Sequence, residues 1–154
     1  MRAQEFLKEV TIDNKNGAGA VPYNADVDYF GIRCAMRPST FISLAAPLGH
    51  AHSAELQKYI AGGGAIGAPF LQIAIPAEWD DGDFKQPAQV AGHEGRNRMM
   101  AIQQVEGDEP IEVHLFPRQY RARDMTPEFR QALNRGLVAE KSSTFIPGPL
   151  FNLL

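Results

Sequence analysis

Apolar and polar positions alternate most cleanly between Glu109 and Phe116. Ile111, Val113 and Leu115 are expected to face inward there, and Glu112 and His114 outward. A period of two marks a half-buried strand. Phe70 to Ile75 (F-L-Q-I-A-I) predicts another strand, with Leu71, Ile73 and Ile75 on one side. Tyr29 to Met36 reads as a strand weakened by Gly31, and Ala88 to Gly92 as a short one.

Helical spacing fills the intervals. Pro38 opens a short helix with Ser39 as its N-cap and Phe41, Leu44 and Ala45 on one face. Ser53 caps a second, A-E-L-Q-K-Y-I-A, in which Leu56, Tyr59 and Ile60 share a face and Gly62 is the stop. A third follows Glu94-Gly95-Arg96-Asn97-Arg98 and runs to about Val105, burying Met99, Met100 and Ile102 before Gly107-Asp108 breaks it. Thr126-Pro127 starts a fourth, with Phe129, Ala132 and Leu133 as its apolar stripe and Gly136 at its end. The runs Gly62 to Gly67 and Glu78 to Asp83 read as loops.

This succession predicts a small α+β domain over residues 28–136, a mixed sheet with flanking helices. Residues 1–27 read as an irregular arm, because Asn14 to Pro22 is rich in turn formers. Residues 137–154 form an apolar tail broken by two prolines, expected to dock on the domain or to grip a partner.

Composition narrows the class. A chain of 154 residues with 44% hydrophobic positions suits one globular domain. A net charge of −3 argues against coating nucleic acid by bulk electrostatics. The single cysteine, Cys34, excludes an internal disulfide and suits a reducing cytoplasm. The charged N-terminal stretch does not read as a secretory signal. No apolar run approaches the roughly 20 residues that a spanning helix needs. A cytoplasmic protein with no membrane partner is the expectation.

Candidate chemistry concentrates between Val90 and Ile102 (V-A-G-H-E-G-R-N-R-M-M-A-I). A strand-to-helix junction offers backbone N–H groups and the positive end of a helix dipole to an anion. Gly95 lets the backbone approach an oxyanion closely. Arg96 and Arg98 supply planar forks that match phosphate oxygens. Glu94 or His93 could move a proton or hold a metal ion. The competing reading is a solvated helix start whose surface ion pairs contribute under about 1 kcal/mol.

The other clusters carry less. Arg118, Arg121, Arg123, Arg130 and Arg135 form a series without lysine, with Tyr120 available for stacking on a base. A solvated face is the favoured reading, and DNA contact through Arg118, Arg121 and Arg123 the alternative. His50 and His52 with Glu55 have no evident third ligand, so no metal site is expected. Asp80-Asp81-Gly82-Asp83 lacks calcium-loop spacing. Neither Gly-x-Ser-x-Gly, a P-loop lysine motif nor Cys-x-x-Cys occurs.

The order strand, E-G-x-x-R-x-x-A helix, then the strand P-I-E-V-H-L resembles the ParB/sulfiredoxin superfamily. Glu94, Gly95, Arg98 and Ala101 match its signature in register, and M-R-P-S-T-F-I-S-L-A and P-F-L-Q-I-A-I-P sit where that fold places its early elements. The likeness spans roughly Asp28 to Pro117. It implies a nucleoside triphosphate site at this loop: CTP in partition proteins, ATP in sulfiredoxins and in a group of free-serine kinases, while other members are ParB-like nucleases. Partition proteins carry Glu-Arg where this chain has Arg96-Asn97, which argues against a CTP switch. Sulfiredoxins carry a reactive cysteine in the loop, whereas Cys34 lies far upstream, which argues against sulfinic-acid repair.

The expected function is therefore nucleotide-dependent phosphoryl transfer or phosphoester cleavage. Gly95, Arg96, Asn97 and Arg98 would hold the phosphates of ATP or CTP. Glu94 would act as base or through Mg²⁺, with His93 as the second catalytic candidate. The alternative is a non-catalytic accessory protein of phage or mobile-element type, forming a homodimer or binding a host protein through its tail.

Overall fold

The computed structural model describes residues 31–47, 54–63, 68–74, 87–118 and 127–153. Among these, the strands are β1 (Ile32–Met36), β2 (Phe70–Ala74), β3 (Ala88–Glu94), β4 (Ile111–Pro117), β5 (Gly136–Val138), β6 (Phe145–Pro147) and β7 (Phe151–Leu153). The helices are α1 (Pro38–Leu44), α2 (Ala54–Ala61), α3 (Arg96–Glu106) and α4 (Pro127–Arg135). All seven strands join one mixed sheet in the order β6-β5-β3-β2-β4-β1-β7. The parallel pairs are β2 with β4 and β3 with β5; the other pairs are antiparallel. The molecule is thus an α+β protein built on a mixed sheet.

One contiguous core joins sheet and helices. Cys34, Leu71, Val113 and Leu115 from the strands meet Phe41, Ile60, Met99, Ile102, Phe129 and Leu133 from the helices. Each fully buried large apolar side chain contributes roughly 1.5–3 kcal/mol relative to exposure. The stripes expected on α1, α3 and α4 supply these contacts. Tyr59 does not: it is 53% exposed, while Leu56 and Ile60 of its helix turn inward. Met100 is half-buried rather than core.

The clearest alternation in the chain misreads β4. Glu112 and His114, expected outside, are 4% and 3% exposed, and every residue of the strand is buried. The reason is position in the sheet. β4 runs between β2 and β1, whose Phe70 and Arg33 stand in register with His114 and whose side chains crowd the outer face, so alternation of residue type no longer reports alternation of exposure. The outer face buries a polar pair instead. His114 Nε2 lies 3.2 Å from Glu112 Oε2, and Arg33 reaches Glu112 Oε1 at 3.4 Å from the adjacent strand.

The start of α1 also differs from expectation. Arg37 is the N-cap and Pro38 the first helical residue, so Ser39 lies inside the helix. The cap comes from 69 residues away: Asp108 Oδ1 accepts the Ser39 N–H at 2.8 Å, and Asp108 Oδ2 accepts the Ser39 hydroxyl at 2.5 Å. A carboxylate at a helix amino end satisfies an orphan donor and complements the dipole.

Residues 137–154 are expected as a tail docked on the domain or gripping a partner; with Gly136, the described part of that segment builds β5, β6 and β7 into both margins of the sheet. Phe151 is buried in the core, while Phe145 and Leu150 stay exposed. The N-terminal arm, Ser53, Ile75, the Glu78 to Asp83 loop and Thr126 lie outside the described residues, as do His50, His52, Tyr120, Arg121 and Arg123.

Candidate functional site

β3 runs two residues further than its apolar pattern suggests, so His93 and Glu94 end a strand rather than begin a loop. The register with β2 shifts on the way. Gln72 faces Gly92 and Ile73 faces Val90, which leaves Ala91 as an extra residue. Such a bulge re-aims the side chains beyond it. His93 then pairs with Leu71, on the core face, and Glu94 pairs with Phe70, on the other.

Gly95 makes the turn from strand to helix at φ 103° and ψ 18°. This left-handed conformation suits glycine, and the packing also demands it. A β-carbon there would lie 2.9 Å from Pro69 Cβ and 3.1 Å from an Arg98 guanidinium nitrogen. Gly95 has no side chain with which to cap α3. Its carbonyl accepts the Met99 N–H at 2.9 Å, starting an eleven-residue helix. The amino end of α3 therefore opens where β3 ends.

A cavity of about 340 Å³ lies at this junction, lined by Gln72 and the run Gly92 to Arg98, with Glu140 closing one side. It adjoins the carboxyl end of β3, beside the turn that follows the parallel strand β5. Open α/β sheets commonly place ligand crevices outside the carboxyl ends of parallel strands. Every residue named from the sequence for this site, from His93 to Arg98, lines the same cavity.

The two arginines hold different postures. Arg96 Nε donates to the Ala45 carbonyl at 3.3 Å, and its guanidinium meets Met100 Sδ at 3.4 Å. Arg98 turns toward Glu94, with a nitrogen 3.7 Å from Oε1. Burial lowers the Arg98 guanidinium from its ordinary value, and the Glu94 carboxylate pulls it back up. Glu94 itself is largely exposed at 62%.

His93 carries a deeply set side chain, 7% exposed. Its Nδ1 lies 2.6 Å from Glu140 Oε2. The same oxygen accepts the Ala46 N–H at 2.8 Å, and the Glu140 N–H donates to the Leu44 carbonyl at 2.9 Å. Glu140 is thus tied by side chain and backbone to the end of α1. Sequence reasoning passed over both Glu140 and Gln72. Glu140 stands 47 positions from His93 behind a short apolar strand, and only the parallel pairing of β5 with β3 brings the two together.

Among the described residues, no group of three His, Cys, Asp or Glu side chains is placed to hold a metal ion. Nor is any helix long and apolar enough to cross a membrane. No family model matches this chain, and neither a curated protein nor a solved structure does.

Proposed function

We propose that the end of β3 is a phosphate-binding site at which this protein binds a nucleotide and acts on a phosphoryl or phosphoester group. One observation carries the reading. Two guanidinium groups, the amino end of a long helix and a hydrogen-bonded imidazole–carboxylate pair all meet at one cavity. A helix amino end and arginine forks attract the same chemistry, an anion with several oxygens. The cavity volume of about 340 Å³ falls within the range of small-molecule sites. The likeness of E-G-x-x-R-x-x-A to the ParB/sulfiredoxin signature supports a nucleoside triphosphate, ATP or CTP, as the ligand.

In this reading the Gly95 turn, Arg96, Asn97 and Arg98 bind the phosphates, and positive charge offsets what develops on the transferring group. Glu94, exposed at the rim, is the carboxylate that would meet a Mg²⁺ carried in on those phosphates. His93 supplies acid–base capacity from the cavity wall.

The test is a thermal-shift panel of inorganic phosphate, pyrophosphate, ATP and CTP, each with and without Mg²⁺. Ligand at a hundredfold its Kd stabilises the native state by about 2.7 kcal/mol, so a clear rise in Tm is expected from at least one polyphosphate. Arg98→Ala should lose that rise. A flat panel at millimolar ligand, or an Arg98→Ala protein that binds as tightly as wild type, overturns the reading. The exposed Phe145 on β6 and Leu150 in the turn before β7 favour a second reading, a nucleotide-dependent binding protein without turnover. Binding without release of product would select it.

A further inference from the structure

The carboxylate of Glu140 and the imidazole of His93 define a proton-handling pair that neither residue's sequence neighbourhood announces. A carboxylate can only accept a hydrogen bond, so the 2.6 Å contact requires the proton on His93 Nδ1. Among the described residues, no partner meets Nε2, although the side chain is more than nine-tenths buried and lines the cavity. We infer that Glu140 holds His93 in the Nδ1–H form and so makes Nε2 the proton acceptor of the cavity. The chemical use of that acceptor rests on the phosphate-site reading above; the pairing does not.

Three features support the assignment. First, Glu140 is preorganised, because the Ala46 N–H and the Leu44 carbonyl fix it before any ligand arrives. Second, the pair shares one cavity with the Gly95 to Arg98 turn. The charged groups lining the same cavity are Glu94, Arg96, Arg98 and Glu140, and only Glu140 meets the ring. Third, Glu94, the other base candidate, is 62% exposed and turned toward Arg98, whereas the His93 ring is set in the cavity wall.

The step this permits is balanced in atoms and charge. A hydroxyl group, of water or an alcohol, gives its proton to Nε2 while its oxygen forms the new bond to phosphorus. The bond from phosphorus to the leaving oxygen breaks with the electron pair going to that oxygen. The imidazolium then returns the proton there. Glu140 stabilises the imidazolium and is a positioning residue, since it touches no reacting atom.

Nitrogen-15 NMR of the imidazole rings in the full chain tests the pair directly. In wild type, the neutral His93 ring should show a protonated Nδ1 and a bare Nε2, and acidification should add the proton at Nε2. Glu140→Gln keeps a carbonyl oxygen for both donors and should preserve that form. Glu140→Ala should lose it in favour of Nε2–H, the form an unrestrained imidazole prefers. A wild-type ring that carries its neutral proton on Nε2, or a Glu140→Ala ring unchanged from wild type, overturns the inference. Should Glu140→Ala fail to fold, the wild-type spectrum alone still decides. Adding pyrophosphate to the same sample separates the two readings. An Nδ1–H ring beside an unperturbed Arg98 side chain retires the anion site and keeps the pair. A perturbed Arg98 beside an Nε2–H ring keeps the anion site and retires the pair.

Discussion

On β4, Glu112 lies 3.2 Å from His114, and both side chains are sealed at 4% exposure. At the end of β3, Glu140 lies 2.6 Å from His93, and the ring lines a cavity. The chemical ingredients are the same and the settings are opposite. The β4 pair comes from positions two apart on one strand, so the pleat places them on one face. Arg33 joins it from the adjacent strand, and Phe116 packs edge-on to His114 with ring centroids 6.1 Å apart. The β3 pair joins segments distant in sequence, and both its members line a cavity. Under the proposed reading, a histidine–carboxylate contact can serve chemistry where one ring nitrogen is left facing space. Without that space it is a way to satisfy polar groups inside a sheet.

That contrast can be broken most forcefully at Glu112. Glu112→Ala strips His114 of a buried partner and should cost about 3 kcal/mol in urea unfolding while leaving pyrophosphate binding intact. Loss of pyrophosphate affinity in a folded Glu112→Ala protein would mean that the two regions are not independent.

Gly95→Ala comes next. Forcing alanine into the left-handed conformation costs about 1–2 kcal/mol, and the new β-carbon meets Pro69 at 2.9 Å. Gly107→Ala is the control, because Gly107 has φ +90° and open space around it. Both variants should lose stability, and only Gly95→Ala should also lose the pyrophosphate-induced rise in Tm.

A smaller effect probes the sealed side through Cys34. Burial, with Glu112 second, pushes the Cys34 thiol far above its ordinary value. The native thiol therefore stays neutral where the unfolded one ionises, above about pH 8.5. The unfolded state then binds fewer protons than the native state, so stability is fully present below that pH and declines as pH rises beyond it. The slope approaches about 1.4 kcal/mol per pH unit. Denaturant midpoints between pH 8 and 10 should show the decline, and Cys34→Ala should flatten it. Last, Tyr59→Ser on the exposed face of α2 should change stability by no more than about 0.5 kcal/mol and leave pyrophosphate binding unaltered.

Much of the scaffold is legible in local patterns. The stripes on α1, α3 and α4, the proline starts of α1 and α4, and the glycine stop at Gly107 follow from spacing and backbone preference, which act within a few residues. The junction from His93 to Arg98 was equally visible, because a glycine between charged residues ahead of a helix signals its own geometry. What misled was exposure. Glu112, His114 and Tyr59 carry no mark of which strands or helices will cover them, since burial belongs to neighbours chosen by the whole sheet. Ser39 shows the same limit: its residue type fits a cap, yet the capping carboxylate arrives from Asp108.

Residue order along the chain was thus enough to set an α+β scaffold and to mark one junction as the candidate site, because helix starts, turns and stripes obey short-range rules. Which carboxylate would sit against His93 was a matter of long-range pairing. Strand β5 had to align parallel to β3 before Glu140 could reach the ring, and no interaction between near neighbours encodes that alignment.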